Sequence, residues 1–160
     1  MDVDGAAQQR RELKNRAIGL LARREHSAAE LRLKLAAAAP SELLEAVLVE
    51  LAAANQQSDA RFAEALVRSL IGRGQGPLRV RQALTQKGVA PELAQQALAE
   101  VAVDWFAQAE AVQARRFGSA LPASPKERAR QIRFLLYRGF NQDQVNHALE
   151  QARQRAPELP

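Results

Sequence analysis

Residues 73–88 read RGQGPLRVRQALTQKG, and the fold turns on how that stretch is understood. A phosphate-cradling loop needs a strand before its glycines and a Gly-Lys-Ser/Thr after them, so that lysine reaches phosphate and the hydroxyl reaches magnesium. Here the preceding segment FAEALVRSLI (62–71) is patterned as a helix, and Pro77 removes one of the backbone donors a cradle would use. The same residues make sense as helix punctuation. The glycines release one helix, Pro77 takes the first position of the next, and Gly88 closes it in a left-handed cap. On a wheel at about 100° per residue, Val80, Ala83 and Leu84 share one face, with Arg79 and Arg81 to either side.

The rest of the chain extends this helical reading. Ala, Leu, Arg, Gln and Glu dominate the 160 residues, and no stretch alternates convincingly at period two. The expected class is all-α. Aromatic residues make up only 4%, too few to fill one thick globular centre. With no cysteine, a disulfide frame and a cysteine-bearing metal site are excluded, and a reducing cytoplasm is the expected home. The opening residues MDVDGAAQQRRELKNR lack the apolar core of a signal peptide, and no apolar run approaches the roughly 20 residues of a spanning helix.

Comparing the chain with itself reveals a repeat. At an offset of 51, Leu84 meets Leu135, Lys87 meets Arg138, Gly88 meets Gly139 and Leu98 meets Leu149. A weaker copy starts at Ser27, where SAAELRLKL aligns with Gly76–Leu84 at an offset of 49. Ser27 with Glu30 and Ser124 with Glu127 read as capping boxes, Asn141 with Gln144 gives a similar start, and Pro77 and Pro91 stand at helix entries. These marks predict nine helices near 8–25, 27–38, 41–54, 58–73, 77–87, 91–103, 104–117, 125–138 and 141–155. They group into three tandem three-helix repeats: 1–56 including an N-terminal tail, 57–103 and 104–156, with a frayed tail at 157–160. A trio of short helices buries little alone, so stacked repeats forming an elongated, curved array are expected. The loop FGSALPASP (117–125) is the candidate hinge between the second and third.

Charge follows blocks: net +3 over 1–35, −4 over 36–66, +5 over 67–90, −4 over 91–112 and +5 over 113–160. Two readings of Arg79 and Arg81 stay open. They form a phosphate- or carboxylate-seeking pair, or their stems cover apolar edges. In KERARQIRFLLYRGF (126–140), Ala129, Ile132, Leu135 and Leu136 form one stripe, while Phe134 and Tyr137 lie on the other side among Arg130, Arg133 and Arg138. Burial of this middle helix on both sides is the favoured reading, and stacking on nucleic acid the alternative. Trp105 and Phe106 are expected as core anchors, and His26 and His147 as isolated surface or turn residues. Asp59 belongs to the first turn of a helix capped by Ser58. No catalytic set, metal site or cofactor motif is found.

The stretch 58–89, SDARFAEALVRSLIGRGQGPLRVRQALTQKGV, resembles the central signature of the RecX family, regulators of the RecA recombinase. The matching features are Asp59 and Phe62 at a helix start, Gly76 and Pro77 in the turn, and an Arg-x-x-Leu-x-x-Lys-Gly helix ending at Gly88. REHSAAELRLKL (24–35) and RFLLYRGF (133–140), with Gly139, resemble the family's first and third repeat motifs. The resemblance spans roughly residues 16–150. Where the family often carries paired acids, this chain has Ser58-Asp59. What the resemblance implies is a monomeric, non-enzymatic modulator without a cofactor or membrane association. It would bind in the groove of the RecA–DNA nucleoprotein filament and limit filament growth, ATP hydrolysis, strand exchange and the coprotease activity behind the SOS response. Arg79, Arg81, Lys87, Arg130, Arg133 and Arg138 would face the groove, with direct contact to DNA phosphates, and the acidic blocks would face basic filament surfaces. The competing expectation is a helical-repeat module acting directly on single-stranded DNA.

Overall fold

The computed structural model describes residues 3–118, 122 and 124–155. The expected tail at 157–160, and residues 119–121 and 123 of the 117–125 loop, lie outside them. Among the described residues there are nine α-helices and no strand: α1 (Val3–Arg23), α2 (Ala28–Leu35), α3 (Ser41–Ala53), α4 (Asp59–Gly72), α5 (Pro77–Gln86), α6 (Pro91–Val101), α7 (Trp105–Phe117), α8 (Pro125–Tyr137) and α9 (Gln142–Arg155). Most ends agree closely with the expected ones; two differ. α1 begins at Val3 rather than near residue 8, because its Ala- and Gln-rich start favours helix and Asp4 lies in the first turn. α2 stops at Leu35 rather than near 38: Ala38 N–H turns back to the Leu35 carbonyl at 3.0 Å, and Pro40 biases its predecessor away from helix.

The caps explain the ends. Ser27 and Glu30 form a complete capping box. Asn141 and Gln144 do the same, each backbone N–H donating to the other's side-chain oxygen at 2.9 Å. At α8 only half of the expected box is present. Ser124 accepts from Glu127 N–H, but the Glu127 carboxylate turns to Arg130. Gly88 and Gly139 sit at φ +78° and +101°, and both close Schellman motifs. Val89 N–H reaches the Leu84 carbonyl and Gly88 N–H that of Thr85; Phe140 and Gly139 repeat the pattern on Leu135 and Leu136. Gly74 after α4 and Asn55 after α3 make the same pair of bonds, which the repeat comparison had not revealed.

The chain divides into two compact units. Unit 1 holds the described residues up to Leu66 together with Leu84–Ala97; unit 2 holds Val67–Ala83 together with those from Leu98 onward. In unit 1, α1, α2 and α3 bury Leu13, Ala17, Leu31, Leu35, Leu44, Val47, Leu48 and Leu51 as one cluster. Phe62, whose role in the motif is thereby a packing one, is also buried. In unit 2, α7, α8 and α9 gather Ala109, Val112, Leu135, Phe140, Val145, Ala148 and Leu149. Each fully buried side chain of this size removes roughly 1.5–3 kcal/mol of apolar surface cost.

Several expected exposures need correction. Trp105 packs against the unit 2 cluster, but Phe106 is 43% exposed, its ring edge-on to His147 at 5.5 Å. α8 is not buried on both sides: Tyr137 is 70% exposed and Leu136 leaves the apolar stripe for solvent. His26 lies in the expected turn but is buried rather than at the surface. Burial holds its imidazole below the ordinary pKa, against the opposing bond to the Arg24 carbonyl. The neutral ring therefore donates from Nδ1 to that carbonyl and accepts from Lys34 Nζ at Nε2, 3.1 Å away.

Much of the charge alternation is settled inside the units. In unit 1, Arg10 and Lys14 both reach Glu50, Arg32 reaches Glu45, and Arg61 reaches Glu25. In unit 2, His147 and Arg155 flank Glu110. Acidic and basic blocks thus meet each other, although exposed pairs of this kind contribute little stability.

Asp59 does more than its expected first-turn role. Ser58 does accept from Arg61 N–H, but the Asp59 carboxylate reaches to α2, accepting from Ala28 N–H at 2.9 Å and from Gln57 Nε2 at 2.8 Å. It joins the start of α4 to the start of α2. Asp59→Ala is expected to lower stability by about 1–3 kcal/mol, read from urea unfolding. A loss no larger than that of an exposed surface substitution would show the bridge to be incidental.

Candidate functional site

The opening stretch RGQGPLRVRQALTQKG is used internally at both ends. At the start of α5, Gly76 N–H donates to the Arg138 carbonyl at 2.6 Å and Leu78 N–H to the Gly139 carbonyl at 3.0 Å. Those donors are therefore committed to the end of α8 and form no anion cradle. Unit 1 carries the equivalent joint. The Ser27 hydroxyl, at the start of α2, donates to the Lys87 carbonyl at 2.7 Å, and Gly88 lies hard against Ala29. Lys87 and Arg138 are the same position of the repeat, as are Gly88 and Gly139. Each joint sets the start of one repeat's middle helix on the glycine that ends the next repeat's.

The Arg79 backbone and stem lie against Gly139, so closely that a methyl group there would approach Arg79 Cγ to 2.5 Å. Its Nε donates to the Tyr137 carbonyl at 2.8 Å, and its guanidinium lies over the Tyr137 ring at 4.3 Å. For Arg79, the stem-packing reading is the one the geometry supports. Arg138 donates from Nη1 to the Arg73 carbonyl at 3.0 Å and lies over Phe134 at 5.0 Å. Arg79 and Arg138 thus both lie at the joint between α5 and α8, each on different partners. Arg130 pairs with Glu127, and Lys87 with Glu30 at 3.5 Å in unit 1. Arg81 and Arg133 are exposed.

Beside the α5–α8 joint, unit 2 opens a cleft of about 210 Å³ lined by Gly72, Arg73 and Gly74 at the end of α4, Val112, Arg115 and Arg116 of α7, and Phe134 and Arg138 of α8. Its walls are tied together, since Gln108 Nε2 donates to the Ile71 carbonyl at 2.8 Å and Arg138 to that of Arg73. Arg116 lies over Phe134 and Phe117 at 5.5 and 5.7 Å, and the two rings meet edge-on. None of the eight lining residues carries a carboxylate. Of these arginines the repeat comparison singled out only Arg138. The runs Gly72-Arg73-Gly74 and Arg115-Arg116-Phe117 were the local signal, without significance until folding joined them.

The fold and this surface define a class: a helical-repeat protein of three-helix units with arginine and aromatic side chains exposed together. Residues 58–98 match the family described as RecX, second three-helix domain, and residues 102–149 the one described as RecX, third three-helix domain. The regulatory protein RecX of Halorhodospira halophila is 45% identical over 149 residues, covering 92% of this chain and 91% of that protein. That of Chromohalobacter salexigens is 46% identical over 138 residues, covering 85% and 90%. The crystal structure of RecX from Lactobacillus salivarius superposes with a TM-score of 0.77 at 19% identity, covering 92% of this chain and 99% of that one. The chain belongs to the RecX family of regulatory proteins.

Proposed function

We propose that this protein restrains the RecA recombinase by binding in the groove of the RecA–DNA filament, limiting its growth and with it ATP hydrolysis, strand exchange and coprotease activity. The observation that carries the reading is similarity to proteins named regulatory protein RecX over nearly their full length. The role is non-enzymatic, cytoplasmic and exercised by a monomer, and the working division is three repeats, 1–56, 57–103 and 104–156. Among the described residues no helix is long and apolar enough to cross a membrane.

Exposed Arg81 and Arg133 are assigned to the filament groove together with Lys87, Arg130 and Arg138. The double substitution Arg81→Ala/Arg133→Ala is expected to raise the concentration needed for half-inhibition of RecA ATPase about tenfold, a loss of about 1.4 kcal/mol, with unchanged thermal unfolding. Arg79→Ala is expected instead to lower stability by about 1 kcal/mol, since its stem is packed. The broader test compares affinity for RecA-coated and naked single-stranded DNA at physiological salt. Equal affinity would favour the module acting directly on DNA, whose binding falls steeply with salt.

A further inference from the structure

Four arginines, Arg73, Arg115, Arg116 and Arg138, line the unit 2 cleft without a carboxylate among its lining residues. Like charges gathered this way repel, and an anion in their midst relieves the repulsion. Two of the four are held in place before any ligand arrives. Arg138 is fixed by its bond to the Arg73 carbonyl and by Phe134; Arg116 is fixed over Phe134 and Phe117. A stacked guanidinium still offers N–H groups in its own plane, and a side chain already ordered loses less entropy on binding. At about 210 Å³ the cleft is smaller than the roughly 300–1,000 Å³ of a typical small-molecule site, so it suits a single tetrahedral group rather than a whole nucleotide. Arginines on three sides of one cleft suit an anion that accepts hydrogen bonds from more than one direction, as the two non-bridging oxygens of a tetrahedral phosphodiester do.

We propose that this cleft seats a backbone phosphodiester of a single nucleic-acid strand. The proposal deepens the regulator reading and rests on it for where the strand comes from; the binding itself needs no recombinase. Engagement of few phosphates is expected to give naked strands an affinity in the roughly 10⁻⁴–10⁻⁶ M range of non-specific binding.

The test measures binding of a fluorescent oligothymidylate to the full chain across a salt series. Arg115→Ala/Arg116→Ala is expected to weaken binding about tenfold and reduce the salt slope by about 0.7, the contribution of one neutralised phosphate on a single strand. Arg128→Ala/Arg153→Ala removes the same charge outside the cleft and is expected to stay within about twofold of the parent, as befits a dispersed electrostatic effect. Equal weakening in both variants would mean diffuse attraction and overturn the seat. So would a polyglutamate peptide that displaces the strand at matched charge concentration, because the site would then favour an acidic protein segment. Should the alanine pair melt early, Arg115→Lys/Arg116→Lys decides: it keeps charge but loses the planar forks, and parent-like affinity would overturn the proposal. RecA ATPase inhibition by the parent protein is followed in parallel. Its absence would remove the regulator reading while the strand measurements still judge the cleft.

Discussion

Replacing Gly76 with alanine is expected to remove about 3 kcal/mol of stability. The cause is space rather than backbone freedom. A Cβ at this position would lie 2.4 Å from the Gly139 carbonyl carbon, 2.5 Å from Phe140 N and 2.6 Å from the Gly139 oxygen. All three are backbone atoms, so no side-chain rotation relieves the clash. The approach is drawn tight by the bonds from Gly76 N–H and Leu78 N–H to the carbonyls after α8. Separating the two segments would lose both, at about 1 kcal/mol each, besides loosening the packing around buried Phe140. For a chain of this length the loss corresponds to a fall in unfolding midpoint of about 6–12 °C. A Gly76→Ala protein melting within a degree or two of the parent would show that the joint yields easily.

Glu30 is expected to dominate the acid sensitivity of unit 1. Its side chain is 7% exposed, 2.7 Å from Arg24 and 3.5 Å from Lys87. Burial alone would push its carboxyl up. The hydrogen bond from Arg24, the Ser27 backbone N–H and the charges of Arg24 and Lys87 outweigh that, bringing the pKa from 4.5 down to about 2. A depressed carboxyl stabilises the folded state above its unfolded pKa and loses that contribution as pH falls through the folded one. The contribution is therefore complete above about pH 5, on the order of 3 kcal/mol, and fades between pH 4.5 and about 2. Glu30→Gln should destabilise the protein by about 2 kcal/mol at pH 7 and hardly at all at pH 2. A parallel displacement of the two stability curves across that range would show that the glutamine change acts through packing rather than charge.

What could be read from the sequence follows from how local each cause is. Helix starts at Pro77, Pro91 and Ser27 and ends at Gly88 and Gly139 depend on residues within one turn of each other, so the pattern carried them. The family could be recognised because the 58–89 signature is long, and it falls within the matched second three-helix domain. Asp59 was placed correctly on its own helix, yet the bond to Ala28 lies 31 residues back, and spacing does not encode it. Tyr137 and Leu136 were misjudged because the wheel of α8 says which residues share a face but not which faces find a neighbour. The arginine cleft is the extreme case. It joins segments around residues 72–74, 112–116 and 134–138, none notable alone.

Trp105 and Tyr137 are the chain's single tryptophan and single tyrosine, and both fall in unit 2, where the indole packs on the core and the phenol meets the Arg79 guanidinium. Intrinsic emission is therefore a spectroscopic label for one unit only, whereas far-ultraviolet ellipticity samples the helices of both. Melting curves from the two signals will coincide if the units unfold together and diverge if they do not. The dyes are already built in: a Gly76 lesion is visible by fluorescence at once, and a Glu30 lesion reaches it only through the cooperativity of the chain.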